Sequence, residues 1–127
     1  MNVLLDTNAL YWWLNEPARL SSTARTAITA RSNMVVVSAV VSWELAIKTG
    51  LRKMEARNLL EVWKTKLEEE QFSEMPIDSA HAIRAGLLPL HHRDPFDRLL
   101  AAQAQMTGWP ILSADGIFDM YGVRRIW

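Results

Sequence analysis

Short apolar runs that stop on a polar residue and lead straight into a helix pattern leave this chain few ways to fold. Val3-Leu4-Leu5 stops at Asp6-Thr7-Asn8 and is followed by a helix-like segment over residues 9–14. Met34-Val35-Val36-Val37, β-branched after its first residue, leads through Ser38 into a helix over about residues 39–49, with Gly50 as its stop. Pro110-Ile111-Leu112-Ser113 ends at Ala114-Asp115-Gly116. Runs this short without polar alternation belong to strands buried on both faces. Strands alternating with helices therefore predict an α/β domain whose parallel sheet is covered by helices on both sides.

The remaining segments fit that plan. Glu16 to Leu20 reads as a turn, and Ser21-Ser22 caps a helix reaching about residue 31. Residues 58–71 read as one helix closing in the solvated run Glu68-Glu69-Glu70, and 72–77 as a weak strand. Asp78-Ser79 caps a helix over 80–87, 88–93 is a loop, and 123–127 is an edge-strand candidate. There is no repeat or linker, and 127 residues suffice for one core but not two, so residues 1–127 are expected to form a single domain.

Composition excludes several chemistries. The absence of cysteine rules out a disulfide framework, a thiolate zinc site and a cysteine nucleophile, and fits a reducing cytoplasm. The opening Met1-Asn2-Val3-Leu4-Leu5-Asp6 has no basic region of a signal peptide, and the longest strongly apolar run, 34–41, is too short to cross a bilayer. Fourteen basic residues balance fourteen acidic ones, so nucleic-acid binding would have to come from a local patch or from metal ions. No glycine-rich phosphate loop or G-x-S-x-G elbow is present, and His91-His92 beside Arg93 reads as a solvated loop.

Four acids occupy comparable places. In Asp94-Pro95-Phe96-Asp97, Asp94 is an N-cap, Pro95 sits at N1 and Asp97 complements the dipole of a helix running to about Thr107, with Gly108 as its stop. Asp6 and Asp115 follow strand runs, and Glu44 lies within two helical turns of the run 34–37. Ligands of open α/β sheets bind outside the carboxyl ends of the strands, so all four acids can face one end. Each also has a plain local role: Asp6 as a cap, Asp115 in a turn, Glu44 paired with Lys48. Glu44, set among Val40, Val41, Trp43, Leu45 and Ile47, needs a partner, either Lys48 or a cation bound by Asp6 and Asp97. Converging carboxylates repel one another unless Mg²⁺ or Mn²⁺ neutralises them, and such ions support phosphodiester displacement. Independent structural roles for all four acids are the alternative.

The sequence resembles the PIN-domain family, and within it the VapC-type toxins of toxin–antitoxin modules. The matching motifs are Leu4-Leu5-Asp6-Thr7-Asn8-Ala9-Leu10, Ser42-Trp43-Glu44-Leu45-Ala46-Ile47-Lys48, the stretch His92 to Ala104, and Ser113-Ala114-Asp115. They follow in order over nearly the whole chain. The resemblance implies a three-layer, Rossmann-like domain with a short, mostly parallel sheet. It also implies an endoribonuclease dependent on Mg²⁺ (Mn²⁺ possible) that hydrolyses RNA with metal-activated water. Asp6, Glu44, Asp97 and Asp115 would form the acidic cluster, with Asp6 and Asp97 the surest ligands. Thr7, Asn8, Asp94 and Ser113 would support the acids or face the substrate, although Asn8 stands where many relatives carry histidine. Lys48, Arg52, Lys53, Arg93 and Arg98 are candidates for the RNA backbone. The implied partners are an RNA substrate, a cognate antitoxin and a second copy of the chain. Six tryptophans suit aromatic contact surfaces, and Trp12-Trp13 cannot both face one core, which directs one of them toward an interface. The competing readings are another metal-dependent phosphodiesterase acting on DNA or flaps, and a non-enzymatic binding module with structural acids.

Overall fold

The apolar runs become strands in the computed structural model, which describes residues 1–127. In chain order the strands are β1 (Asn2–Leu5), β2 (Met34–Ser38), β3 (Ser73–Met75), β4 (Ile111–Leu112) and β5 (Arg125–Ile126). They form one sheet in the order β3-β2-β1-β4-β5, and every neighbouring pair is parallel. The sheet is thus wholly rather than mostly parallel, because β5 also runs with β4. Leu5, at the end of β1, lies opposite Val37 on one side and Leu112 on the other. Val3, Leu4 and Leu5 have no exposed surface, as a central strand covered on both faces requires.

The helices are α1 (Thr7–Asn15), α2 (Ser22–Thr29), α3 (Ala39–Gly50), α4 (Arg57–Glu61), α5 (Trp63–Glu69), α6 (Ser79–Leu87) and α7 (Pro95–Thr107). Short 3-10 turns span Pro17–Arg19 and Gly116–Tyr121. Leu10 of α1, Leu45 of α3, Leu100 of α7 and Phe118 are fully buried in the core that the helices build on the sheet. No helix is long and apolar enough to cross a membrane.

Three local expectations are corrected. The segment 58–71 is two helices, α4 and α5, separated at the exposed Val62, whose φ of −114° is not helical. Gly50 does not stop α3 but closes it in helical geometry, and Arg52 takes the left-handed turn at φ 58°. The first helix starts at Thr7, not residue 9, because Asp6 accepts the Ala9 N–H and caps it. Gly108 is the expected stop: it adopts φ 73°, and its N–H bonds the Ala104 carbonyl. A Cβ there would meet nothing within 4 Å, so only the backbone conformation opposes a side chain. Gly108→Ala is expected to cost about 1 kcal/mol, read as a lower midpoint in urea at unchanged slope.

Candidate active site

Successive strands step outward from β1 to β2 and β3 in one direction and to β4 and β5 in the other. The reversal falls between β1 and β4, where an open sheet leaves a crevice at its carboxyl edge. The two strand ends are tied there, since the Asp6 N–H donates to the Leu112 carbonyl at 3.2 Å. Asp6 follows β1 directly, and its Oδ1 accepts the Ala9 N–H at 2.7 Å. Ser113 follows β4, is fully buried, and accepts the Asp115 N–H at 3.0 Å. Asp115 is exposed and caps the following 3-10 turn by accepting the Ile117 N–H at 3.0 Å.

Two helices bring the other acids. Ser38 ends β2 and caps α3 by accepting the Val40 N–H at 3.1 Å, so Glu44 enters the crevice from the second turn. Only 4 % of Glu44 is exposed, and both its oxygens are engaged. Thr7 Oγ1 donates to Oε1 at 2.5 Å, and the Lys48 ammonium pairs with Oε2. Asp94 starts α7 by accepting the N–H groups of Phe96 at 2.8 Å and Asp97 at 3.3 Å. Asp97 points its Oδ2 at His92 Nε2, 2.9 Å away. Trp43 and Phe96, neighbours of Glu44 and Asp97, meet edge-to-face at 4.8 Å and join α3 to α7.

The charges are held under strain. Burial pushes the Asp6 carboxyl up to about 6; the Ser113 hydrogen bond and the Ala9 N–H oppose this, while Glu44 and Asp115 add repulsion. Burial and then the Asp94 charge push Asp97 up to about 7, against the His92 hydrogen bond. For Lys48, burial works against the ammonium, but Glu44, Asp94 and Asp97 outweigh it and raise its pKa. The acids therefore fall into two groups, Asp6 with Asp115 and Asp97 with Asp94, and both groups feel Glu44. Ligand atoms of His92, Asp94 and Asp97 lie within 4.8 Å of one another, the one such tight group of acids and histidines.

Two residues differ from their sequence reading. Arg98 does not face a ligand: it is buried, and its guanidinium donates to the carbonyls of Ala85, Gly86, Leu88, Pro89 and His92. It closes the end of α6 and the following loop, where helix carbonyls lack partners. His92 is not a free loop residue but is half-buried against Asp97, a contact that no motif signals because it depends on how that loop folds back. Of the other basic candidates Arg52, Lys53 and Arg93 are exposed, whereas Lys48 is committed to Glu44. Asn8 is exposed in the first turn of α1 and its side chain makes no hydrogen bond. Trp12 packs on Trp127 at 5.9 Å under the Arg19 guanidinium, and Trp13 Nε1 donates to Glu70 at 3.1 Å. Neither indole is fully buried.

The profile of the PIN domain family matches residues 3–123. Ribonuclease VapC22 of Mycobacterium tuberculosis is 33 % identical over 114 residues, covering 89 % of this chain and 86 % of that protein. Among solved structures, VapBC2 of Rickettsia felis bound to a DNA fragment from the promoter superposes with a TM-score of 0.69 at 16 % identity, covering all of both chains. FitAcB of Neisseria gonorrhoeae does so with a TM-score of 0.61 at 22 % identity, covering 97 % of this chain and 95 % of that one.

Proposed function

The chain belongs to the PIN-domain family, among its VapC-type members, and from that premise we propose that it is a divalent-metal-dependent endoribonuclease. In this reading it is the toxin of a toxin–antitoxin pair and hydrolyses RNA phosphodiester bonds. The observation that supports the reading is the buried Glu44, whose charge reaches both Asp6, beside Asp115, and Asp97, beside Asp94, with Asp6 and Asp97 held above the ordinary carboxylate range. Such charges call for a counter-cation, and the donor set of carboxylate oxygens with one imidazole suits a hard ion such as Mg²⁺ or Mn²⁺. Asp6 and Asp97 would be the principal ligands, with Glu44 and Asp115 beside them. When bound, the ion would supply Lewis-acid stabilisation of charge at phosphorus and lower the pKa of water.

The chain's own groups set that site up. Thr7 fixes the Glu44 carboxylate, His92 fixes one oxygen of Asp97, and Ser113 supports Asp6 and the Asp115 backbone. Exposed Arg93, Arg52 and Lys53 are the basic groups left free for the phosphate backbone. The relatives named as VapBC and FitAcB complexes support a cognate antitoxin as partner, and a second copy of this chain belongs to the same reading. The test is incubation of the purified protein with RNA and DNA of the same sequence in Mg²⁺. Cleavage of RNA alone, leaving 5′-phosphate ends, is expected; equal cleavage of both would favour the phosphodiesterase alternative, and cleavage of neither the binding-module alternative.

The raised carboxyls make the effect of metal depend on pH. Asp6 and Asp97 hold protons up to about 6 and about 7 when folded and only to 3.8 when unfolded. Without metal, this contribution to stability is fully present below pH 3.8 and is lost as pH rises from there to about 6 for Asp6 and about 7 for Asp97. For Asp6 the loss is about 3 kcal/mol. Mg²⁺ offsets it only where the acids are ionised. The expected shift in melting temperature is on the order of 5 °C at pH 8 and near zero at pH 5. Equal shifts at both pH values, measured by calorimetry, would contradict this.

A further inference from the structure

Lys48 reaches the crevice from α3, one turn beyond Glu44, and its ammonium is bound to Glu44 Oε2. Its side chain is one-third exposed, whereas that of Glu44 is 5 % exposed, so the pair carries a positive charge inward. The same ammonium interacts with the charges of Asp94 and Asp97. On that side of the crevice the carboxylate oxygens are largely committed. Glu44 uses both, Asp97 Oδ2 meets His92, and Asp94 Oδ1 caps α7. On the other side, Asp6 has only hydrogen-bonding partners and the repulsion of Glu44 and Asp115. The Arg125 guanidinium, which feels the Asp115 charge, is bound to Asp119 at 3.1 Å and to the Ser113 carbonyl at 3.2 Å, not to Asp6. Glu44 thus has a cation bound to its carboxylate, whereas Asp6 has none.

We infer that Lys48 is a built-in counter-cation standing where a second divalent ion would otherwise bind, so that the site takes a single divalent ion. The inference rests on the metal-dependent reading above and goes beyond it by setting the number of ions. Lys48 is then a positioning residue for charge and not a contact to the RNA backbone. An ammonium bound to Glu44 and close to the charges of Asp94 and Asp97 lowers the negative potential on that side and occupies an oxygen that a second dication would need. Removing it restores that potential and frees Glu44 Oε2 as an oxygen ligand.

Mn²⁺ is the probe, with bound and free ion counted by equilibrium dialysis and electron paramagnetic resonance, without RNA. Wild-type protein and Lys48→Arg are expected to bind one Mn²⁺ per chain. Lys48→Met is expected to bind two, the first about tenfold tighter than in wild type. Two ions in wild type would overturn the inference without recourse to any variant. One ion in both wild type and Lys48→Met, the variant shown to be folded by its circular dichroism and a cooperative melting transition, would also overturn it. No Mn²⁺ bound by wild type would instead bring down the metal-dependent reading itself.

Discussion

Asp97→Asn is expected to lower RNA cleavage by at least ~10³-fold at saturating Mg²⁺ and, in metal-free buffer at pH 8, to raise the melting temperature. Both effects follow from one carboxylate. Burial and the neighbouring Asp94 push Asp97 up to about 7, so holding its charge at pH 8 costs the folded state free energy. The amide has the same shape, carries no charge, and its oxygen still accepts from His92 Nε2, the contact now made at 2.9 Å. The small favourable term between Asp97 and the α7 dipole is lost, worth under about 1 kcal/mol. The net gain is on the order of 1–3 kcal/mol, several degrees in melting temperature. A variant both inactive and more stable is the signature of a strained functional group. Calorimetry in EDTA beside a cleavage assay reads both quantities. A variant that lost stability as well as activity would mark Asp97 as a structural acid.

Arg98→Ala is expected to cost about 3–5 kcal/mol. The guanidinium donates to five carbonyls at 2.9 to 3.3 Å, which close the end of α6 and the loop to α7. Alanine leaves the carbonyls of Gly86, Leu88 and His92 without a protein donor, and leaves the loop carrying His92 and Asp94 unanchored. Arg98→Lys recovers part of the loss, because one ammonium offers three donors and no planar fork. Urea unfolding measures the cost directly. A variant that kept full stability and lost only RNA affinity would return Arg98 to the backbone-binding role its sequence context suggests.

These two residues mark how far the chain could be read without its structure. The strands 3–5, 34–37 and 111–112 were legible because burial on both faces leaves an unbroken apolar run. The start and stop of α7 were legible because Asp94, Pro95 and Gly108 each satisfy a local backbone requirement. The placing of Asp6, Asp115 and Glu44 at one edge follows from the rule that the carboxyl ends of parallel strands share an edge. The break at Val62 was not legible, since neither glycine nor proline marks it. Gly50 misled for the converse reason: a residue able to stop a helix did not have to, and Arg52 took the left-handed position instead. His92 and Arg98 were misread because their partners are a folded-back loop and bare carbonyls, which no side-chain pattern encodes. The division of the acids into two groups bridged by Glu44 and Lys48 likewise depends on helix packing across the sheet.

The measurement that bears most directly on the acids as a cation site is cleavage of a 5′-labelled RNA against Mg²⁺ concentration, with the melting temperature of the same protein followed in parallel. No cleavage is expected in EDTA, with activity and stability rising together and saturating over the same Mg²⁺ range. Cleavage that persists undiminished in EDTA, or that saturates without any shift in melting temperature, would contradict a metal-dependent nuclease built on Asp6 and Asp97.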